Sequence, residues 1–152
     1  MQHFLLALIV TLVIGQWPAY GQIADAAAGA QAALQAMRAE RFAVTKPLLL
    51  FGGDNYETFL GCLNCPDTDP SSILNPYGAG NAYSPKSIHN QYSQFGSPYG
   101  LYSPCNRYGI KAPVVVDRQG GFYGHFTINR YHLQRFEHAY FNTWLAGLCQ
   151  SK

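Results

Sequence analysis

Cys62-Leu63-Asn64-Cys65 sets two sulfur atoms three residues apart, a spacing open to three kinds of chemistry. A redox pair needs one thiolate of lowered pKa, commonly at the N-terminus of a helix in a thioredoxin-like unit of alternating strands and helices. Pro66 suits a first helical turn, but Asp67-Thr68-Asp69-Pro70 puts no apolar stripe behind it. A zinc site built on Cys62 and Cys65 needs two further ligands, and Cys105 with one of His89, His125 or His132 could supply them. A second C-x-x-C is missing, and so is an H-x-x-x-H. Structural disulfides ask only for an even count of cysteines in an oxidising compartment, which Cys62, Cys65, Cys105 and Cys149 satisfy. The favoured pairing is Cys62 with Cys65 and Cys105 with Cys149, because the second bridge closes a long loop. The two crossed pairings stay open, since a bridge across two residues is geometrically demanding.

A second group of residues stands out by repetition. The phrase Ser-x-x-Asn-x-Tyr occurs as SILNPY from Ser72, SIHNQY from Ser87 and SPCNRY from Ser103, with periods of 15 and 16 residues between the asparagines. Tyr83 and Tyr99 each precede the next phrase by four residues, so the unit is longer than its signature. Ser and Asn side chains bond nearby backbone groups in tight turns, and Pro and Gly supply the dihedrals such turns need. Ile73, Ile88 and Pro104 can point inward, each copy hiding its apolar residue against the next. Tyr77, Tyr92 and Tyr108 with Asn75, Asn90 and Asn106 are then the candidate binding residues; the alternative is that the repeat only orders a long loop.

Other constellations are thin. His132 and His138 fall on different faces of any helix, and His125 has no Ser or Asp in sequence context that would make it a base. Asp67 and Asp69 begin like a calcium loop that no later acid completes. There is no phosphate-cradling glycine motif and no dinucleotide fingerprint. A formal charge of +2, with Arg118, Arg130 and Arg135 scattered among aromatics, is too small to steer nucleic acid. No catalytic residue, metal or cofactor is assigned.

The elements that must position these residues can be read along the chain. Phe4 to Ile14 is apolar and uncharged, the length of a signal-peptide core and short of the roughly 18 to 20 residues that span a bilayer. Small residues at Ala19 and Gly21 predict cleavage before Gln22, with an uncleaved anchor as the alternative. Residues 1–21 are thus expected to be a signal peptide, 22–45 an N-terminal helix centred on Ala24 to Glu40, and 46–152 one compact domain. Leu48 to Phe51 and Tyr56 to Leu60 flank Gly52-Gly53-Asp54-Asn55 as a hairpin, with Gly61 ending the return strand. Val114 to Val116 and Phe122 to Ile128 flank a second turn, Asp117 to Gly121. After Asn129 as cap, Leu133, Phe136, Tyr140, Trp144 and Leu148 predict one amphipathic helix over residues 130–148. Only 12% of residues are charged, about half the usual share, so loops and aromatic surfaces dominate over a large aliphatic core.

LGCLNC, the tandem S-I-x-N-x-Y phrases and the V-V-V-D-x-x-G-x-F-Y-G hairpin together resemble a group of uncharacterised exported bacterial domains, over about Leu48 to Asn129. The third phrase position, often a large aromatic in that group, holds Leu74, His89 and Cys105 here. The resemblance implies export and a shared small fold, and assigns no activity. The sequence therefore predicts an α+β domain, periplasmic or extracellular, without a membrane span after signal cleavage. Its expected role is a non-enzymatic binding or structural module that contacts glycan or envelope protein. The alternative is a thiol-redox or zinc protein, hydrolytic in one version, built around Cys62 and Cys65.

Overall fold

The computed structural model describes residues 28–36, 39 and 45–152. The expected signal peptide lies outside them, as do the two ends of the expected N-terminal helix. Residues 28–36 and 39 are helical (α1) and exposed. Two compact units divide at Leu34/Gln35, and the second, Gln35–Lys152, holds the sheet and both disulfides.

Four short strands form one antiparallel sheet in the order β2-β1-β3-β4. Leu49–Gly52 (β1) and Thr58–Cys62 (β2) make the first hairpin, and Val114–Val116 (β3) and Phe122–His125 (β4) the second; β1 and β3 join them. Gly61 does not end β2 as expected. Leu50 pairs with Gly61 and Phe51 with Phe59, so Leu60 is the extra residue of a bulge, and Gly61 at φ 141 takes the unusual backbone that follows. The strand runs on to Cys62. In the second hairpin β4 stops at His125 rather than Ile128. Phe126 still donates its N–H to Pro113 O at 2.7 Å, but Pro113 has no N–H to return.

Each sheet edge is covered at its final residue. Beside β2, Cys62 N donates to Ser71 O and Ile73 N to Cys62 O; beside β4, His125 N donates to Gln134 O and Phe136 N to His125 O. The latter pair corrects the expected helix over residues 130–148. Asn129 does not cap a helix: its Oδ1 accepts the N–H of Tyr131, and its carbonyl accepts that of His132, which folds a turn. The chain then runs alongside β4, and the helix (α2) begins only at Ala139, spanning Ala139–Gln150. Leu133, expected on its apolar face, is fully exposed, while Phe141 and Leu145 carry that face into the core.

That core gathers Leu48, Leu50 and Leu60 with Ile73, Ile88, Val115, Phe126, Phe136, Phe141 and Leu145. Each such side chain contributes about 1.5–3 kcal/mol by leaving water. Cys62 is bonded to Cys65 and Cys105 to Cys149, and the second bridge ties α2 to the turn region across 44 residues of sequence. Between the first pair, Leu63 is buried; Asn64 accepts from Leu48 N and donates to Lys46 O, fastening the chain that enters β1. The architecture is the expected small α+β fold.

Candidate functional site

Residues 69–109 hold neither helix nor strand, yet their backbone is regular. The N–H of Ser72 bonds Asp69 O, Asn75 bonds Ser72 O, Gly78 bonds Asn75 O, and the series continues in steps of three through Asn81, Ser84, Ser87, Asn90 and Ser93. One extra residue enters where Ser97 N reaches Ser93 O, after which Gly100, Ser103, Asn106 and Gly109 resume the step. This is a coil of consecutive β-turns, each ending where the next begins. A period of 15 is five triplets, and the period of 16 includes the extra residue at Ser93 to Ser97.

The first residue of each triplet is Ser, Asn, Asp or Gly, and most of the Ser, Asn and Asp side chains close their own turn. Ser72 Oγ accepts the N–H of Leu74, Ser87 Oγ that of His89 and Ser103 Oγ that of Cys105. Asn75, Asn90 and Asn106 accept from Tyr77, Tyr92 and Tyr108 in the same way at 2.9–3.0 Å. Their amides also donate backward by six residues, to Asp69, Ser84 and Gly100 carbonyls, each at 3.1 Å. The asparagines are thus held against the backbone and place the tyrosines rather than reaching outward themselves. Glycine is required where successive turns touch: a Cβ on Gly78 would strike the Pro70 carbonyl, and one on Gly96 the Asn90 carbonyl.

Tyrosine recurs at the third residue of the triplets, and at all of these positions but Tyr102 it faces solvent. Tyr77, Tyr92 and Tyr108 are 96%, 89% and 89% exposed. Tyr83, Tyr99 and Tyr131 match them at 92%, 91% and 91%. The sequence reading did not place these last three among the binding residues, although N-A-Y, S-P-Y and a second N-R-Y at residues 129–131 carried the signal. Tyr102 and Tyr123 instead engage the body. Tyr102 stacks on Phe95 with centroids 5.5 Å apart, and Tyr123 donates its hydroxyl to Asp117 at 3.0 Å.

The inner side of the coil is fixed to α2. His89 bonds Ile73 O through Nε2 at 2.7 Å and meets the Trp144 ring edge-on at 5.7 Å; burial holds its pKa below the usual histidine value. Lys152 donates to the Ile88 and Gly96 carbonyls at 2.5 and 2.6 Å, and burial pulls its ammonium down to about 8. Elsewhere charged groups serve turns. Asp117 accepts from the Gln119 and Gly121 N–H groups in the second hairpin, and the Gly121 bond leads in lowering its pKa.

His89, His125 and His132 do not converge on the cysteines as a metal set would require. His125 bonds Ala112 O and lies ring to ring with His132 at 4.2 Å, while all four sulfurs are in bridges. Among the described residues no three His, Cys, Asp or Glu gather to hold a metal, and no helix is long and apolar enough to cross a membrane. Two bridges are what a compartment outside the cytoplasm sustains. No protein-family model, curated protein or solved structure matches the chain.

Proposed function

We propose that the protein is an exported, non-enzymatic module of the cell envelope or exterior that holds a glycan or protein surface through the tyrosines of its turn coil and of the Asn129 turn. The observation that carries this reading is that six tyrosines, Tyr77, Tyr83, Tyr92, Tyr99, Tyr108 and Tyr131, stand about nine-tenths exposed on turns fixed by side-chain hydrogen bonds. Exposed rings in such number gain nothing for the core, whereas a tyrosine offers a partner a large face and a hydroxyl at small entropic loss. Rigid turns present the rings already in place, so little ordering is left for the moment of binding. Kinship with the exported domains that share LGCLNC and the S-I-x-N-x-Y phrases belongs to the same reading, as does a periplasmic or extracellular home.

The test replaces Tyr77, Tyr92 and Tyr108 with Phe and then with Ala, and measures retention on purified envelope glycan and on isolated envelope proteins. Retention should fall stepwise while the thermal midpoint stays within a few degrees. An Ala triple variant retained as well as wild type would sink the proposal. So would a Cys62 thiolate that alkylates readily in the exported protein, since that belongs to redox chemistry.

A further inference from the structure

The two N-R-Y turns are stacked on each other. In both, the Asn Oδ1 accepts the Tyr N–H at 3.0 Å, and Asn129 Nδ2 donates to the carbonyl of Gly109, the residue after the first N-R-Y. Arg107 with Tyr108, and Arg130 with Tyr131, therefore line one cleft of about 490 Å³, whose far wall is Arg135 with the α2 residues Asn142 and Ala146. Glu137 lies beside that wall, with a carboxylate oxygen 3.8 Å from Arg135 Nε and another accepting from Asn142 Nδ2 at 3.4 Å. It offsets Arg135 alone. Arg107 and Arg130 have no carboxylate partner among the described residues, so the cleft keeps two uncompensated guanidiniums.

Two atoms of the far wall, Arg135 Nε and Asn142 Oδ1, are buried without a hydrogen-bond partner. The first is a donor and the second an acceptor. A ligand that answers both, with the small side-chain shifts common on binding, carries an anionic oxygen and a hydroxyl together. We propose that this cleft binds the carboxylate of an acidic saccharide, a uronic-acid type of residue, with Arg107 and Arg130 forking its oxygens between the rings of Tyr108 and Tyr131. The volume falls in the range of small-ligand sites, roughly 300–1,000 Å³, and planar guanidiniums match a carboxylate in two-point contact. An acidic peptide, which arginine clusters also take, is the competing occupant that the titration separates. The inference rests on the tyrosine reading above and names the chemistry of its ligand.

Titration of the full chain with oligogalacturonate and with its methyl ester tests the proposal, using wild type, R107Q/R130Q and R107K/R130K. Wild type should hold the acid about 10-fold or more tighter than the ester, a gap of about 1.4 kcal/mol. The Gln pair should erase that gap without weakening the ester, and the Lys pair, which keeps charge and loses the fork, should fall between. Equal binding of acid and ester by wild type overturns the charge assignment and leaves the tyrosine reading standing, whereas loss of both ligands in wild type removes the glycan reading as well. Polyglutamate or inorganic phosphate displacing the oligosaccharide at equal concentration would overturn the proposal in favour of a peptide or a bare anion. Unchanged binding in the Gln pair would do so too.

Discussion

The sheet and the turn coil fold by different physics although they share one core. In the sheet, backbone pairs with backbone, and the apolar faces of Leu50, Leu60 and Val115 close against Phe126, Phe141 and Leu145. In the coil, most triplets turn on a Ser, Asn or Asp side chain that bonds its own backbone, and only scattered residues such as Ile73 and Ile88 reach the core. The first arrangement leaves Phe59, Phe122 and Tyr123 only about half exposed, and the second stands its outer tyrosines almost wholly in solvent. A chain with little aliphatic material can therefore still be ordered, provided its Ser and Asn side chains do the work that strands do elsewhere.

If this contrast holds, damage to the two regions should differ in kind. Leu50 is fully buried at the centre of the sheet, and Leu50→Ala should destabilise by about 2–5 kcal/mol through lost transfer energy and the cavity left behind. Asn90→Ala should lower stability less, by about 1–3 kcal/mol, because the Tyr92 N–H loses its partner and the Ser84 carbonyl keeps only the Ser87 N–H, while part of that surface regains water. Urea unfolding of both variants checks the order. Asn90→Asp sharpens it further, since the carboxylate can still accept from Tyr92 but cannot donate to Ser84, and it should recover part of the loss. An Asn90→Ala variant as damaged as Leu50→Ala would break the distinction and make the coil an extension of the core.

The same contrast explains what was legible in the sequence. The hairpins were visible because β-branched runs flank Gly-rich turns, and the cysteine pairing because one bridge closes a long loop. The coil was visible only as a repeat of 15 and 16 residues; its true step of three was hidden because Ser, Asn, Asp and Gly all serve at the first position. The same chemistry misled at Asn129. A helix cap and an Asx turn both want an Asn accepting the N–H two residues on, and the neighbouring N-R-Y at Asn106 was the cue that the turn is favoured here. That one substitution of motif moved Leu133 from the core to solvent, and it brought Arg130 and Tyr131 to the cleft beside Arg107 and Tyr108.

The smallest expected effect concerns pH, and it touches both regions through one histidine each. His89 joins the coil to α2, and His125 sits on β4 among Tyr56, Phe122 and His132. Burial lowers both pKa values; nearby positive charge, from Lys152 and His132 respectively, lowers them further, and the bonds to the Ile73 and Ala112 carbonyls oppose the shift. Below about pH 6.5 the unfolded chain therefore binds protons that the folded one refuses. Stability should be full above that value, decline as pH falls through it, and level off below the folded pKa values. His89→Gln keeps a donor for Ile73 O and removes the titration, so it should flatten the part of this slope that belongs to the coil; His125→Gln should flatten the part that belongs to the sheet. Chemical denaturation across pH 4.5 to 7.5 reads both. If neither change alters the slope, protonation is absorbed elsewhere and the two histidines are more open to water than their packing against Trp144 and Tyr56 indicates.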